Sequence, residues 1–169
     1  MRTLILPGYS PKNREWALQV QQNLKYPDRS EVVTWKHWES GNMGDFTAAN
    51  EALNVLAVIG KDKVNIIAKS IGTLVAMYVI AEDREKINKM VLCGIPLGDI
   101  TPNRYETNTE ALSGFNTKHV LILQNDLDTH GSYERVEQFI HSINKKIKVE
   151  MKPGNTHEYP YFEDINDFL

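Results

Sequence analysis

A single cysteine, Cys93, stands in a chain of 169 residues. One thiol excludes an internal disulfide and any zinc site built from several cysteines. A dominant charge is missing as well. Nineteen basic and 22 acidic side chains leave a formal net charge of −3, so electrostatics gives no case for nucleic acid or an anionic membrane as a partner. The densest basic cluster, Lys145-Lys146-Ile147-Lys148, adjoins an expected strand and reads as a solvated edge. Long apolar runs are lacking. Thr3-Leu4-Ile5-Leu6-Pro7 is broken at Gly8, too early for a signal-peptide core and far too early for a membrane span. A cytoplasmic location is therefore expected. No glycine-rich phosphate loop of the Gly-x-Gly-x-x-Gly or Gly-x-x-x-x-Gly-Lys type occurs, and the five histidines are scattered without ligand spacing. Neither a nucleotide cofactor nor a metal is expected.

What is present is an ordinary globular composition, 41% hydrophobic and 24% charged, without low-complexity tracts or repeats. The length suits one domain over residues 1–169, burying roughly two-thirds of the surface its unfolded chain exposes. Strand-like and helix-like runs alternate throughout, which predicts a three-layer α/β/α sandwich around a mostly parallel six-stranded sheet. The strands are expected at 3–6, 31–35, 64–67, 90–93, 119–123 and 147–151. Helix signals lie between them: Ser10-Pro11 as a start, Asp45 as a cap, Ser132 as a cap, and Pro160 opening a closing helix. From Pro96 to about Lys118 periodicity is weak, with at most a helical turn at Glu110-Ala111-Leu112.

Chemistry enters at the third strand. Val64-Asn65-Ile66-Ile67 leads into Ala68-Lys69-Ser70-Ile71-Gly72, and the apolar run Thr73 to Ile80 follows as a buried helix. A serine on a tight strand-to-helix turn is one way to present a nucleophile, and it demands small residues two before and two after it. Ala68 and Gly72 meet that demand. The string alone is weak, because a serine at this position also serves as an ordinary helix cap. A nucleophilic serine further needs a base, and the base needs an acid to hold it. The loop after the fifth strand contains Asp126, Asp128 and His130, and the loop after the sixth contains His157. An acid and then a histidine follow the serine, each after a later strand.

These segments resemble the α/β-hydrolase superfamily over nearly the whole chain. Ala68 to Gly72 looks like its nucleophile elbow, Leu123 to Asp128 is similar to its acid loop, and Gly154-Asn155-Thr156-His157 looks like its histidine loop. The resemblance implies a triad of Ser70, His157 and Asp128, with Asp126 and then Asp99 as alternatives for the acid. Leu6-Pro7-Gly8-Tyr9 resembles the turn that lends one N–H to the oxyanion hole, which implies Tyr9 (or Ser10) together with Ile71. The chain opens at what resembles the family's third strand, so two leading antiparallel strands are expected to be absent. The 96–118 segment is too short for an inserted lid domain, which implies a small lidless member. Lys69 departs from the histidine or other polar residue common before the nucleophile.

The expectation is a cofactor-independent serine hydrolase cleaving a small-molecule ester or related acyl substrate through an acyl-enzyme. A hydrolase-like binding or regulatory module with an unused triad is the alternative, and acyl transfer to an acceptor other than water is a third reading. His130 is expected at the pocket rim, and His119 and His141 as structural or solvated. His37, between Trp35 and Trp38, is expected to pack under a loop rather than bind a ligand. Tyr159 and Tyr161 either border the pocket or belong to the core. Substrate identity and oligomeric state have no readable pattern.

Overall fold

The structure is a computed structural model that describes the backbone of residues 1–169 and all side chains except those of 102–105 and 108. Its strands are β1 (Arg2–Leu6), β2 (Ser30–Val32), β3 (Val64–Lys69), β4 (Ile87–Cys93), β5 (Val120–Asn125) and β6 (Lys148–Lys152). Its α-helices are α1 (Asn13–Asn23), α2 (Lys36–Ser40), α3 (Ala48–Ile59), α4 (Ile71–Asp83), α5 (Pro102–Ser113), α6 (Tyr133–Ile143) and α7 (Phe162–Phe168). The strands form one sheet in the order β2-β1-β3-β4-β5-β6. Every pairing is parallel, with Ile5 opposite Ile67 and Ile67 opposite Val91.

Alternation along the strands divides the core in two. Leu4, Leu6, Ile66, Ala68, Met90, Leu92 and Ile122 point to a face covered by α3, α4, α5 and α6. Ile5, Ile67, Val91, Cys93, Leu121 and Leu123 point to the opposite face, under α1 and α7. This is the three-layer α/β/α sandwich around a parallel sheet. Strands buried on both faces explain the continuous apolar runs of β1, β3 and β5. α4 is buried along most of its length, from Gly72 to Ile80 apart from Tyr78, because it packs between α3 and α5 as well as on the sheet.

Several local expectations are corrected. β2 ends at Val32 rather than at residue 35. Trp35 leaves the strand path because its indole N–H donates to the Pro7 and Gly8 carbonyls. α3 is capped by Thr47, whose hydroxyl accepts from Asn50 N–H at 3.2 Å, while Asp45 is spent on Asn42. α1 begins at Asn13, and Ser10 to Lys12 form a turn before it. Ser132 holds the N-cap position of α6 but makes no side-chain cap bond. α5 runs for 12 residues where a single turn was expected. Its sequence is mostly polar, and among its described side chains Ala111 and Leu112 near its end are buried, so no apolar stripe announces it.

Candidate active site

All the loops of interest leave the carboxyl ends of the parallel strands, where open α/β sheets gather ligand sites. Ser70 lies between β3 and α4 at φ 55° and ψ −127°, and among the described residues it alone combines positive φ with a side chain. That conformation costs on the order of 1–3 kcal/mol and persists only where its surroundings enforce it. Here the Ser70 N–H donates to the Cys93 carbonyl at 3.0 Å, and the Ser70 carbonyl accepts from Thr73 N–H and from the Thr73 hydroxyl. Ser70 Oγ makes no cap bond. The helix-cap reading of this serine therefore fails. Gly72 shows why the turn needs a small residue: a Cβ there would stand 2.3 Å from the Leu6 carbonyl oxygen. Ile71 is the first residue of α4, so its N–H has no intrahelical acceptor.

Asp128, in the loop after β5, is buried, and three donors converge on it. His157 Nδ1 lies 2.6 Å from Oδ2, the Tyr159 hydroxyl donates to the same oxygen at 2.5 Å, and His130 N–H donates to Oδ1 at 2.9 Å. Burial pushes this carboxyl up, but the bonds from His157, Tyr159 and His130 outweigh it and hold Asp128 below the ordinary carboxylate range. An ionised carboxylate only accepts, so His157 carries its proton on Nδ1 and leaves Nε2 as an acceptor. Nε2 is buried and, among the described residues, has no hydrogen-bond partner.

The other acids are placed elsewhere. Asp126 is exposed, and its backbone joins Lys152 and Tyr133. The Asp99 carboxylate bonds His130 Nδ1 at 2.7 Å. His130 is at the rim of the pocket, with its ring centroid 4.4 Å from that of His157. His119 and His141 bond backbone carbonyls near strand ends.

Ser70, Ile71, His157, Tyr9 and Phe46 line one cavity of about 550 Å³. Ser70 and His157 thus face a common space without a hydrogen bond between them in this structure. The turn after β1 that forms one wall is fixed by aromatic donors. Trp35 donates to the Gly8 carbonyl at 3.1 Å, and Trp38 donates to the Tyr9 carbonyl at 2.7 Å. His37 stacks on Tyr9 with its Nε2 2.8 Å from the same Tyr9 oxygen. A trans peptide directs its N–H opposite its carbonyl, so anchoring the Gly8 carbonyl at Trp35 aims the Tyr9 N–H away from that ring. The tryptophan and histidine cluster packs under a loop, as expected, and its work is to orient peptides.

Sequence reasoning missed the groups that hold the histidine loop. Asn125 Nδ2 donates to the Thr156 carbonyl at 2.8 Å and to the Glu158 carbonyl at 2.9 Å, one on each side of His157. Its Oδ1 accepts from Tyr161. Gln124 Oε1 accepts from Ile95 N–H, and its Nε2 donates to the Gly131 carbonyl at 2.5 Å. The available signal was a Gln-Asn pair ending an otherwise apolar strand, since buried amides need partners. Gly94 at φ 65° leaves room for the rings: a Cβ there would fall 2.4 Å from Tyr159 and 3.0 Å from His157. Burial pushes the Tyr159 phenol up, which keeps it a donor toward Asp128. Among the described residues no group of three or more His, Cys, Asp or Glu side chains could hold a metal ion.

No family model matches the chain, and no curated protein matches it. Solved structures do. A protein from Pectobacterium atrosepticum described as a YdeN-like hydrolase superposes with a TM-score of 0.72 at 15% identity, covering 99% of this chain and 89% of its own. The chain has the α/β-hydrolase fold. Carboxylesterase CesB from Bacillus subtilis matches at 0.66 and 12% identity over 98% of this chain and 81% of that one. An α/β serine hydrolase without lid from Xanthomonas campestris matches at 0.62 and 13% identity over 98% and 77%. The fold is thus one used by hydrolases and esterases. No helix among the described residues is long and apolar enough to cross a membrane.

Proposed function

We propose that this chain is a serine hydrolase that cleaves an ester or related acyl substrate. Ser70 attacks the carbonyl carbon, and His157 Nε2 takes the hydroxyl proton. Asp128 holds the imidazole in that tautomer and stabilises the imidazolium. The N–H groups of Ile71 and Tyr9 donate to the carbonyl oxygen as negative charge develops on it. His157 then protonates the leaving oxygen, and water, activated by the same Nε2, releases the acid and restores Ser70. The reading takes residues 1–169 as one cytoplasmic catalytic domain that works without a cofactor.

One observation carries it. A serine in a strained, uncapped turn shares a cavity with a buried, unpartnered imidazole nitrogen whose ring is fixed from behind by an ionised carboxylate. Likeness to esterases at the level of fold adds support, because this fold carries acyl chemistry in its structural neighbours. A fluorophosphonate probe tests the reading. Wild type is expected to label at Ser70, and the Ser70→Ala variant not at all. Failure of wild type to label would favour the binding-module alternative.

A further inference from the structure

Two chambers meet at His157. The first, described above, holds Ser70 and Ile71 between apolar walls from Tyr9, Phe46 and Pro96. The second, of about 530 Å³, lies against the start of α1, and its charged walls are Lys12, Glu15, Lys69 and Glu158. His157 and His130 border both chambers, whereas Ser70 borders only the first and Lys69 only the second.

Lys69 is an unusual wall. Its side chain is 2% exposed, and its ammonium donates at 2.9 Å to a Glu158 carboxylate that is itself 69% exposed. A buried ammonium requires a counter-ion. Here that counter-ion comes from the solvent side, laid over the lysine like a cover. The Trp16 ring lies 5.6 Å from Nζ on the protein side. Because the Glu158 carboxylate lies on the solvent side, a carboxylate entering the chamber can take its place and keep the buried ammonium paired. If Glu158 swings into water, Lys12 and Lys69 face Glu15 alone, and the chamber gains one positive charge.

The chemistry fixes which half of a substrate lies there. His157 gives its proton to the leaving oxygen, so the leaving group sits past His157, away from the Ser70–Ile71 wall. We propose that the Lys69 chamber binds a leaving alcohol or phenol bearing a carboxylate, which takes the place of Glu158 on Lys69 Nζ. The inference rests on the serine-hydrolase reading and narrows it to esters that join an apolar acyl group to an anionic hydroxy acid. The Ser70 Oγ–carbon bond forms, the ester carbon–oxygen bond breaks, and the departing oxygen takes its proton from His157. Water then completes hydrolysis to the two acids.

Two matched probes test this: 4-acetoxybenzoate and its neutral methyl ester. The readout is the ratio of their kcat/KM values, which cancels any general effect on catalysis. Glu158→Gln removes the competing carboxylate and is expected to raise the acid-to-ester ratio about three- to fivefold. Lys69→Met is expected to lower it about tenfold. An unchanged ratio in Glu158→Gln overturns the proposal, and that exposed substitution decides the matter even if Lys69→Met fails to fold. Calorimetric binding of 4-hydroxybenzoate to Ser70→Ala reads the chamber without turnover. Tighter binding when Glu158→Gln is added supports the proposal and unchanged binding overturns it, whether or not either ester is hydrolysed by wild type.

Discussion

Replacing Tyr159 by phenylalanine removes one oxygen atom and two hydrogen bonds. The hydroxyl donates to Asp128 Oδ2 at 2.5 Å and accepts from Asn125 N–H at 3.2 Å. A hydrogen bond to a charged group contributes about 1.5–3 kcal/mol, and a buried donor left without a partner costs about 1–3 kcal/mol. The ring itself stays, so no cavity larger than the lost oxygen opens. We expect Tyr159→Phe to cost about 3 kcal/mol at neutral pH, which for a chain of this size lowers Tm by about 6–12 °C. The loss is also expected to depend on pH in one direction. Asp128 is held below its unfolded value, so its contribution is fully present above about pH 4 and is lost as pH falls through the folded pKa. Without the phenol, burial regains ground and the Asp128 carboxyl rises. The stability gap between wild type and variant should therefore narrow as pH falls from 7 to 3. Urea unfolding at the two pH values measures this. A gap below about 0.5 kcal/mol at pH 7, or one of equal size at both pH values, would refute the reasoning.

Asp128→Asn should lower kcat by about 10³–10⁴, because an amide can present its N–H and select the wrong imidazole tautomer. Asp99→Asn, which touches His130 rather than His157, should change kcat by less than about tenfold; steady-state kinetics on one ester compares the two. Gly72→Ala drives a Cβ into the backbone oxygens of Leu6 and Pro7 at 2.3 and 2.7 Å. It should destabilise the fold by more than about 3 kcal/mol, read by chemical unfolding, and an unperturbed midpoint would contradict the packing described for the serine turn.

The fold was legible because strands covered on both faces carry continuous apolar runs. β1, β3, β4 and β5 announce themselves, and the glycines and prolines between them mark the turns. α5 was not legible, since its mostly polar sequence leaves little periodic trace. The Asp45 and Thr47 exchange has a similar cause: either side chain can cap, and the register of α3 on the sheet selects one. At the candidate site, loop order pointed to Asp128 and His157, and their contact is seen. The supporting shell was out of reach. The side chains of Asn125, Tyr159 and Glu158 meet partners 31 to 89 residues away, and no local pattern encodes such pairings. Loop spacing favours Asp128 over Asp126, and in three dimensions Asp128 is the buried one of the two and the one that bonds His157.

The length of these connections has a consequence for the order in which the protein comes together. Ser70 is held by β3, α4 and the end of β4, all complete once residue 93 is available. His157 acquires its place only when its loop docks on Asn125 and when Trp16, 143 residues earlier, donates to the Tyr159 carbonyl at 2.8 Å. Pairings this distant in sequence form late, after the entropy of closing the chain has been met. During synthesis the residues that hold the serine turn are all present well before His157 is added. The nascent chain thus carries the serine before the histidine that shares its cavity.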